Sequence, residues 1–174
     1  MTRLALCVVA GLAMFGGQSL AAEVVIPINA IDTTGIGAVI GTLTARDTKA
    51  GMLVTPGLSG LTAGPHGFHV HENPSCAPRE QAGKLVPGLA AGGHFDPDKS
   101  GRHEGPWAHG HVGDMPALAV NGDGTARDSV VVPRLKVADL KGRSIVIHAG
   151  ADNYADQPKP LGGGGSRVAC GVAP

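Results

Sequence analysis

Apolar and β-branched residues come in short runs punctuated by glycine. "EVVIPINAID" (23–32), "GIGAVIGTLTARD" (35–47) and "AGMLVTPGLSGL" (50–61) read as successive strands. No stretch sustains a helical period with caps at its ends. From "NPSCAPREQ" at residue 73 to about Met115 the pattern lapses: Gly, Pro, His and Asp dominate, and apolar alternation is slight. Strand-like text returns in "PALAV" (116–120) and "ARDSVVVP" (126–133), which flank the hairpin-turn signal "NGDGT" (121–125). "RSIVIHAG" (143–150) and "RVACGV" (167–172) follow, separated by the polar loop "ADNYADQPKPLGGGGS" (151–166). This pattern predicts an all-β antiparallel sandwich or barrel. Two loops this long are either functional or disordered in a compact domain. Here they carry ligand-type residues, so they read as functional.

Composition sharpens the picture in two places. Aromatics make up only 3% of the chain, against 28 glycines and 13 prolines, so the core must come from Val, Ile, Leu and Ala. Net charge is zero with histidine neutral. No basic face or acidic tail stands out, which argues against a nucleic-acid or membrane-surface binder. The amino terminus explains part of the hydrophobicity. A basic "MTR", the apolar run "LALCVVAGLAMFGG" and the small residues "SLAA" have the layout of a secretory signal peptide, residues 1–22, cleaved after Ala21 or Ala22. The run is short for a membrane span and no second one follows. One domain, 23–174, remains. Removal of the leader takes Cys7 and leaves Cys76 and Cys170, and an even count in an exported chain reads as one disulfide. Closing a loop of roughly 90 residues contributes about 4–5 kcal/mol on the chain-entropy account.

The candidate chemistry begins in "GFHVH". Side chains on a strand alternate between faces, so Phe68 and Val70 suit the core while His69 and His71 share the outer face, with backbones roughly 6.5–7 Å apart. In "SIVIH", Ile145 and Ile147 face inward and His148 outward. The long loop adds His94 in "GGHFDP", His103 in "GRHEGP", and His109, His111 and Asp114 in "HGHVGDMP". Imidazoles suit zinc and copper, and one added carboxylate still favours zinc. Paired cysteines leave no thiolate, which argues against a zinc finger or a blue-copper centre. An isolated H-x-H is a weak signal, and a lone loop histidine or turn aspartate is more often solvated. Seven ligand-type residues together point to a metal site. Spacing alone leaves open which ligands share a metal and how many metals there are.

"GFHVHE", "GGHFDP", "GRHEGP", "HVGDMP", "IVIHAGADN" and "GGGGSRVACG" resemble, in order and over essentially the whole mature chain, the copper–zinc superoxide dismutases of the exported bacterial branch. The resemblance implies an immunoglobulin-like Greek-key sandwich or barrel with two long functional loops. It implies copper and zinc as cofactors, superoxide as the substrate anion, and the periplasm as the location. His69, His71 and His148 match copper ligands, and His94 matches the histidine that bridges copper and zinc. His103, His111 and Asp114 match the remaining zinc ligands. Arg167 matches the arginine that holds the anion, Asp152 a carboxylate linking ligands of the two metals, and Cys76 and Cys170 the family's disulfide. None of these positions is substituted.

Other residues draw plainer expectations. His66 is expected to make structural hydrogen bonds, and His109 to be a solvated loop histidine. Lys84 either steers the anion or is simply solvated, with solvation favoured. Trp107, the lone tryptophan, either packs under its loop or sits at the interface of a homodimer, with the interface favoured. The rival function is a periplasmic copper or zinc buffer that uses the same histidines without turnover. A buffer needs neither a substrate-holding Arg167 nor a bridging His94. A structural domain with a single zinc would leave His69, His71 and His148 without a purpose.

Overall fold

The β-branched runs form eleven strands among the residues that the computed structural model describes, 22–174. These are β1 (Glu23–Asp32), β2 (Gly35–Thr48), β3 (Gly51–Leu58), β4 (Gly64–His66), β5 (Phe68–His71), β6 (Arg79–Gln81), β7 (Lys84–Val86), β8 (Leu118–Val120), β9 (Val130–Val132), β10 (Ser144–His148) and β11 (Arg167–Val172). The helical content among them is three short 3-10 turns at Leu89–Ala91, Val137–Leu140 and Leu161–Gly163. The expected leader, with Cys7, lies outside the described residues apart from Ala22.

Seven strands make one antiparallel sheet in the order β5-β10-β11-β1-β2-β3-β9. The sheet curls because the segment around 114–126 joins both of its ends. β5 bridges to this segment through His69 and Asp114, β4 pairs with β8, and Leu58 at the end of β3 bridges to Ala126. The alternation that defines the strands fills the interior. Ile26 and Ile28 of β1, Leu43 and Ala45 of β2, Met52 and Val54 of β3, and Ile145 and Ile147 of β10 are all buried in one apolar cluster with Phe68 and Val70. This is the immunoglobulin-like Greek-key β architecture expected from the sequence.

Two expectations need correction. "NGDGT" does close a turn, with the Asn121 amide donating to the Thr125 carbonyl at 2.8 Å. The flanking strands do not form a hairpin, however: β8 pairs with β4, and β9 pairs with β3. Turn chemistry reverses the chain locally, but pairing goes to the strand edges left free. Leu118, Val120 and Val132 reach the core from those edges. The stretch from 73 to 115 is also less irregular than its composition suggests. It contains the β6–β7 hairpin, turned at Ala82 and Gly83, and the 3-10 turn Leu89–Ala91.

Cys76 and Cys170 are bonded, with Cα atoms 5.7 Å apart and a sequence separation of 94. The bond fastens the segment after β5 to the middle of β11, beside a second small apolar cluster of Ile31, Ala91 and Val146.

Leu43 is fully buried on β2, remote in sequence from every ligand-type residue. Leu43→Ala should cost about 2–5 kcal/mol of stability through lost burial and a residual cavity. Urea unfolding of the variant should show a lower midpoint with an unchanged slope.

Candidate metal centre

Alternation on β5 separates two functions. Phe68 and Val70 enter the core, and His69 and His71 occupy the opposite face, yet all four are fully buried. The outer face is dry because the long loops lie over it. They attach as irregular extra strands: Phe95 N donates to the Val70 carbonyl at 2.8 Å, Gly113 N to the Phe95 carbonyl at 2.8 Å, and His71 and His94 form a bridge. On the other side β10 pairs with β5 so that Val146 faces His69, which brings His148 to the same end of the face. Ring centroids of His69 and His148 are 4.9 Å apart, and those of His69 and His94 are 3.9 Å apart.

Two groups of donors result, each with its atoms within 4.8 Å of one another: His69, His71, His94 and His148, and His69, His94, His103 and Asp114. His111 stands at the margin of the second group, with Nδ1 3.5 Å from Asp114 Oδ1. His69 is common to both groups; its Nε2 is bonded to Asp152 and its Nδ1 is free.

Four rings commit one nitrogen to the protein. His71 Nδ1 donates to the Gly92 carbonyl at 3.0 Å, and His148 Nδ1 to the Gly165 carbonyl at 3.2 Å. His69 Nε2 and His103 Nε2 donate to the two oxygens of Asp152, at 2.7 and 2.8 Å. Such outer partners fix ring orientation and leave the opposite nitrogen as the donor toward a metal. His94 differs. Its Nδ1 faces Asp114 Oδ1 at 2.8 Å, within the second set, and its Nε2 is free within the first. The buried side-chain atoms without a hydrogen-bond partner, among the described residues, are His69 Nδ1, His71 Nε2, His94 Nε2, His148 Nε2, His111 Nδ1 and, elsewhere, Arg143 Nε; His103 Nδ1 and Asp114 Oδ2 face only each other, at 2.9 Å. Leaving such an atom unpaired costs about 1–3 kcal/mol. Their gathering in two adjacent groups fits a pair of metal ions.

Comparison with known proteins gives the family. The family described as copper/zinc superoxide dismutase (SODC) matches residues 39–173. The chain belongs to the copper/zinc superoxide dismutase family. It is 50% identical over 173 residues to "Superoxide dismutase [Cu-Zn] 2" of Salmonella typhimurium, covering 99% of both chains. Among solved structures, the Cu/Zn superoxide dismutase of Brucella abortus superposes with a TM-score of 0.86 at 48% identity, covering 88% of this chain and 100% of that one. The monomeric copper, zinc superoxide dismutase of Salmonella enterica gives 0.80 at 48% identity, with the same coverage. The histidine clusters suit the copper and zinc of the family.

The electrostatics divide along the same line. Burial, reinforced by the charge of neighbouring His94, pulls His69 down to about 3. Burial likewise takes His148 down to about 4 and His71 well below its ordinary value, with Arg167 adding repulsion to both. These imidazoles are neutral near pH 7, with lone pairs available. Burial opposes protonation of His103 too, but the carboxylates of Asp114 and Asp152 raise it to about 9. Burial favours the acid form of Asp114 and of Asp152, yet the surrounding histidines hold both well below the carboxylate range.

Arg167 donates to the carbonyls of Gly88 and Gly92. Gly92 O also accepts from His71, so the guanidinium and that ring share one anchor. His66 is buried and bonds the His148 carbonyl at 2.6 Å and the Thr62 carbonyl at 2.8 Å, as a structural histidine would. His109 is exposed, Lys84 is exposed on the β6–β7 hairpin, and Trp107 is 68% exposed. Sequence reading missed Asp156, whose carboxylate accepts from the His103 amide at 3.0 Å. It also missed Gly162, where a Cβ would fall 1.9 Å from Asp152 Oδ1. Nothing in the spacing of a polar loop marks either one.

The opposed shifts set a pH dependence for the metal-free protein. Between the ordinary histidine value of 6.5 and about 3–4, the unfolded chain protonates His69 and His148 while the folded chain does not. The unfolded state therefore binds more protons there, and stability falls as pH falls. His103 acts in reverse: its contribution is complete below 6.5 and is lost as pH rises through about 9. Thermal midpoints of the metal-stripped protein should decline on both sides of neutrality. A midpoint that held steady from pH 6.5 to pH 4 would rule out neutral burial of His69 and His148.

Proposed function

We propose that this chain dismutes superoxide in the periplasm, holding copper on His69, His71, His94 and His148 and zinc on His94, His103, His111 and Asp114. The observation that carries the reading is the convergence of buried donors in two adjacent groups, with His94 Nδ1 against Asp114 and its Nε2 unpartnered. Two superoxide anions and two protons give one dioxygen and one hydrogen peroxide. Bound copper supplies the one-electron couple for that exchange, and bound zinc supplies fixed charge without redox chemistry.

The protein's own residues account for the rest. His94 Nε2 is the atom that takes up and returns a proton, since Nδ1 is held toward Asp114. Asp152 couples the halves by accepting from His69 with one oxygen and from His103 with the other. Arg167 attracts and orients the anion, because its positive charge reaches His71 and His148 and its guanidinium is pinned by two carbonyls. The disulfide supports this role: Cys76 lies at the start of the segment that carries Gly88 and Gly92, and Cys170 lies three residues after Arg167 on β11.

Residues 1–22 are read as the export leader. The relatives' bacterial source supports a periplasmic location, and amino-terminal sequencing of the mature protein should begin at Ala22 or Glu23. A homodimer with Trp107 at its interface is also inferred, supported by the exposure of that ring. Sedimentation should give a dimer mass for the native chain and a monomer mass for Trp107→Glu. A native monomer at ~10 μM, like the Salmonella enterica relative described as monomeric, would refute it.

The function is tested on one preparation of purified protein. One copper and one zinc per chain, with dismutation abolished by His148→Ala, is the expected result. Arg167→Ala should keep both metals and lose roughly tenfold or more in rate, the scale of electrostatic guidance. Stoichiometric copper without dismutation would instead make the chain a metal buffer.

A further inference from the structure

Tyr154, the only tyrosine in the chain, touches no ligand-type ring but meets three segments of the centre. Its phenol oxygen accepts from the Ala117 amide at 2.9 Å, three residues after Asp114. Its ring covers Gly105, in the segment between His103 and His111. A Cβ on Gly105 would lie 2.8 Å from the Tyr154 Cβ and Cδ1, so the bare backbone there is a seat for the ring. Trp107 closes the seat edge-on, with centroids 5.6 Å apart. The backbone at Tyr154 has φ 56, a left-handed conformation uncommon outside glycine. A non-glycine residue stays there only when its surroundings over-determine it, and here the phenol and ring contacts do so.

That backbone conformation has a consequence at the centre. It aims the Tyr154 amide at Asp152 Oδ1, 2.7 Å away, the same oxygen that accepts from His103 Nε2. The other oxygen of Asp152 holds His69. The orientation of one carboxylate, and through it of one ring in each set, therefore depends on where residue 154 is held.

We propose that Tyr154 is a positioning residue that clamps the loop 151–166 against the His103–Asp114 segment and so fixes Asp152 for both metals. This rests on the reading of the two donor sets as copper and zinc sites. A small side chain at 154 would release the strained backbone and let the amide turn away from Asp152. Phenylalanine would keep the ring on Gly105 and lose only the bond to Ala117.

The test compares native protein, Tyr154→Phe and Tyr154→Ala after loading with copper and zinc. Chelator competition gives the retention of each metal, and the visible and electron paramagnetic spectra of Cu(II) report on His69. Tyr154→Ala is expected to lose zinc retention about tenfold, the scale seen when an outer partner of a ligand is removed, and to shift the copper spectrum. Tyr154→Phe should restore most of both. Should Tyr154→Ala fail to fold, Tyr154→Leu carries the same comparison. Native-like zinc retention and an unchanged copper spectrum in the truncated variant would overturn the proposal, even if its thermal midpoint dropped, since the ring would then serve packing alone. Native protein that takes up neither metal would overturn both this proposal and the functional reading beneath it.

Discussion

Every imidazole that surrounds the centre must keep one nitrogen free in a place that water does not reach, and the rest of the molecule is arranged around that constraint. A buried imidazole can have its ring fixed only by a partner on its other nitrogen, so each one requires an acceptor at a set position. β5 and β10 bring His69, His71 and His148 to one sheet face, but the sheet has no acceptors to offer there. Gly92, Gly165 and Asp152 supply them, and all three lie in the long loops. The loops therefore do more than shield the face. Without them the sheet would present three rings with no fixed direction.

Holding the loops in place falls to covalent and charged anchors because the loops have little apolar surface of their own. The disulfide fastens the first loop to β11. Arg167, three residues before Cys170, grips the same loop through Gly88 and Gly92. The second loop has no such bond and relies on Asp152, Tyr154 and Asp156, each tied to the segment that carries His103 or to its exit. The two loops are thus anchored by different chemistry: one by a link to the sheet, the other by contacts to the ligands and to each other.

How much of this could be read from the chain follows from the same division. Strands declare themselves through local pattern, so β1, β2, β3, β10 and β11 were legible nearly to their ends, as were the opposite faces of Phe68 and His69. The ligand-type residues were legible because histidine and a neighbouring aspartate stand out in a chain of apolar strands and polar loops, and the structure brings most of them together. Pairing of β8 and β9 was not, because "NGDGT" records a chain reversal and carries no information about which edges elsewhere are free. Asp156, Gly162 and Tyr154 were not legible either. Their roles depend on contacts between loops distant in sequence, and an aspartate, a glycine or a tyrosine in a polar loop has no periodicity to betray it.

The contrast between the two donor sets also has a physical origin in the placement of carboxylates. The first set is built from imidazoles held by backbone carbonyls and, at His69, by Asp152, with Arg167 nearby; desolvation outweighs the one carboxylate and the rings are neutral. The second contains Asp114, with Asp152 against His103, so the carboxylates outweigh burial and favour the charged imidazole there. A neutral, acceptor-poor group of imidazoles can accommodate a cation whose charge changes during a reaction. His94 faces both environments, with Nδ1 against Asp114 and Nε2 unpartnered on the side of the first set.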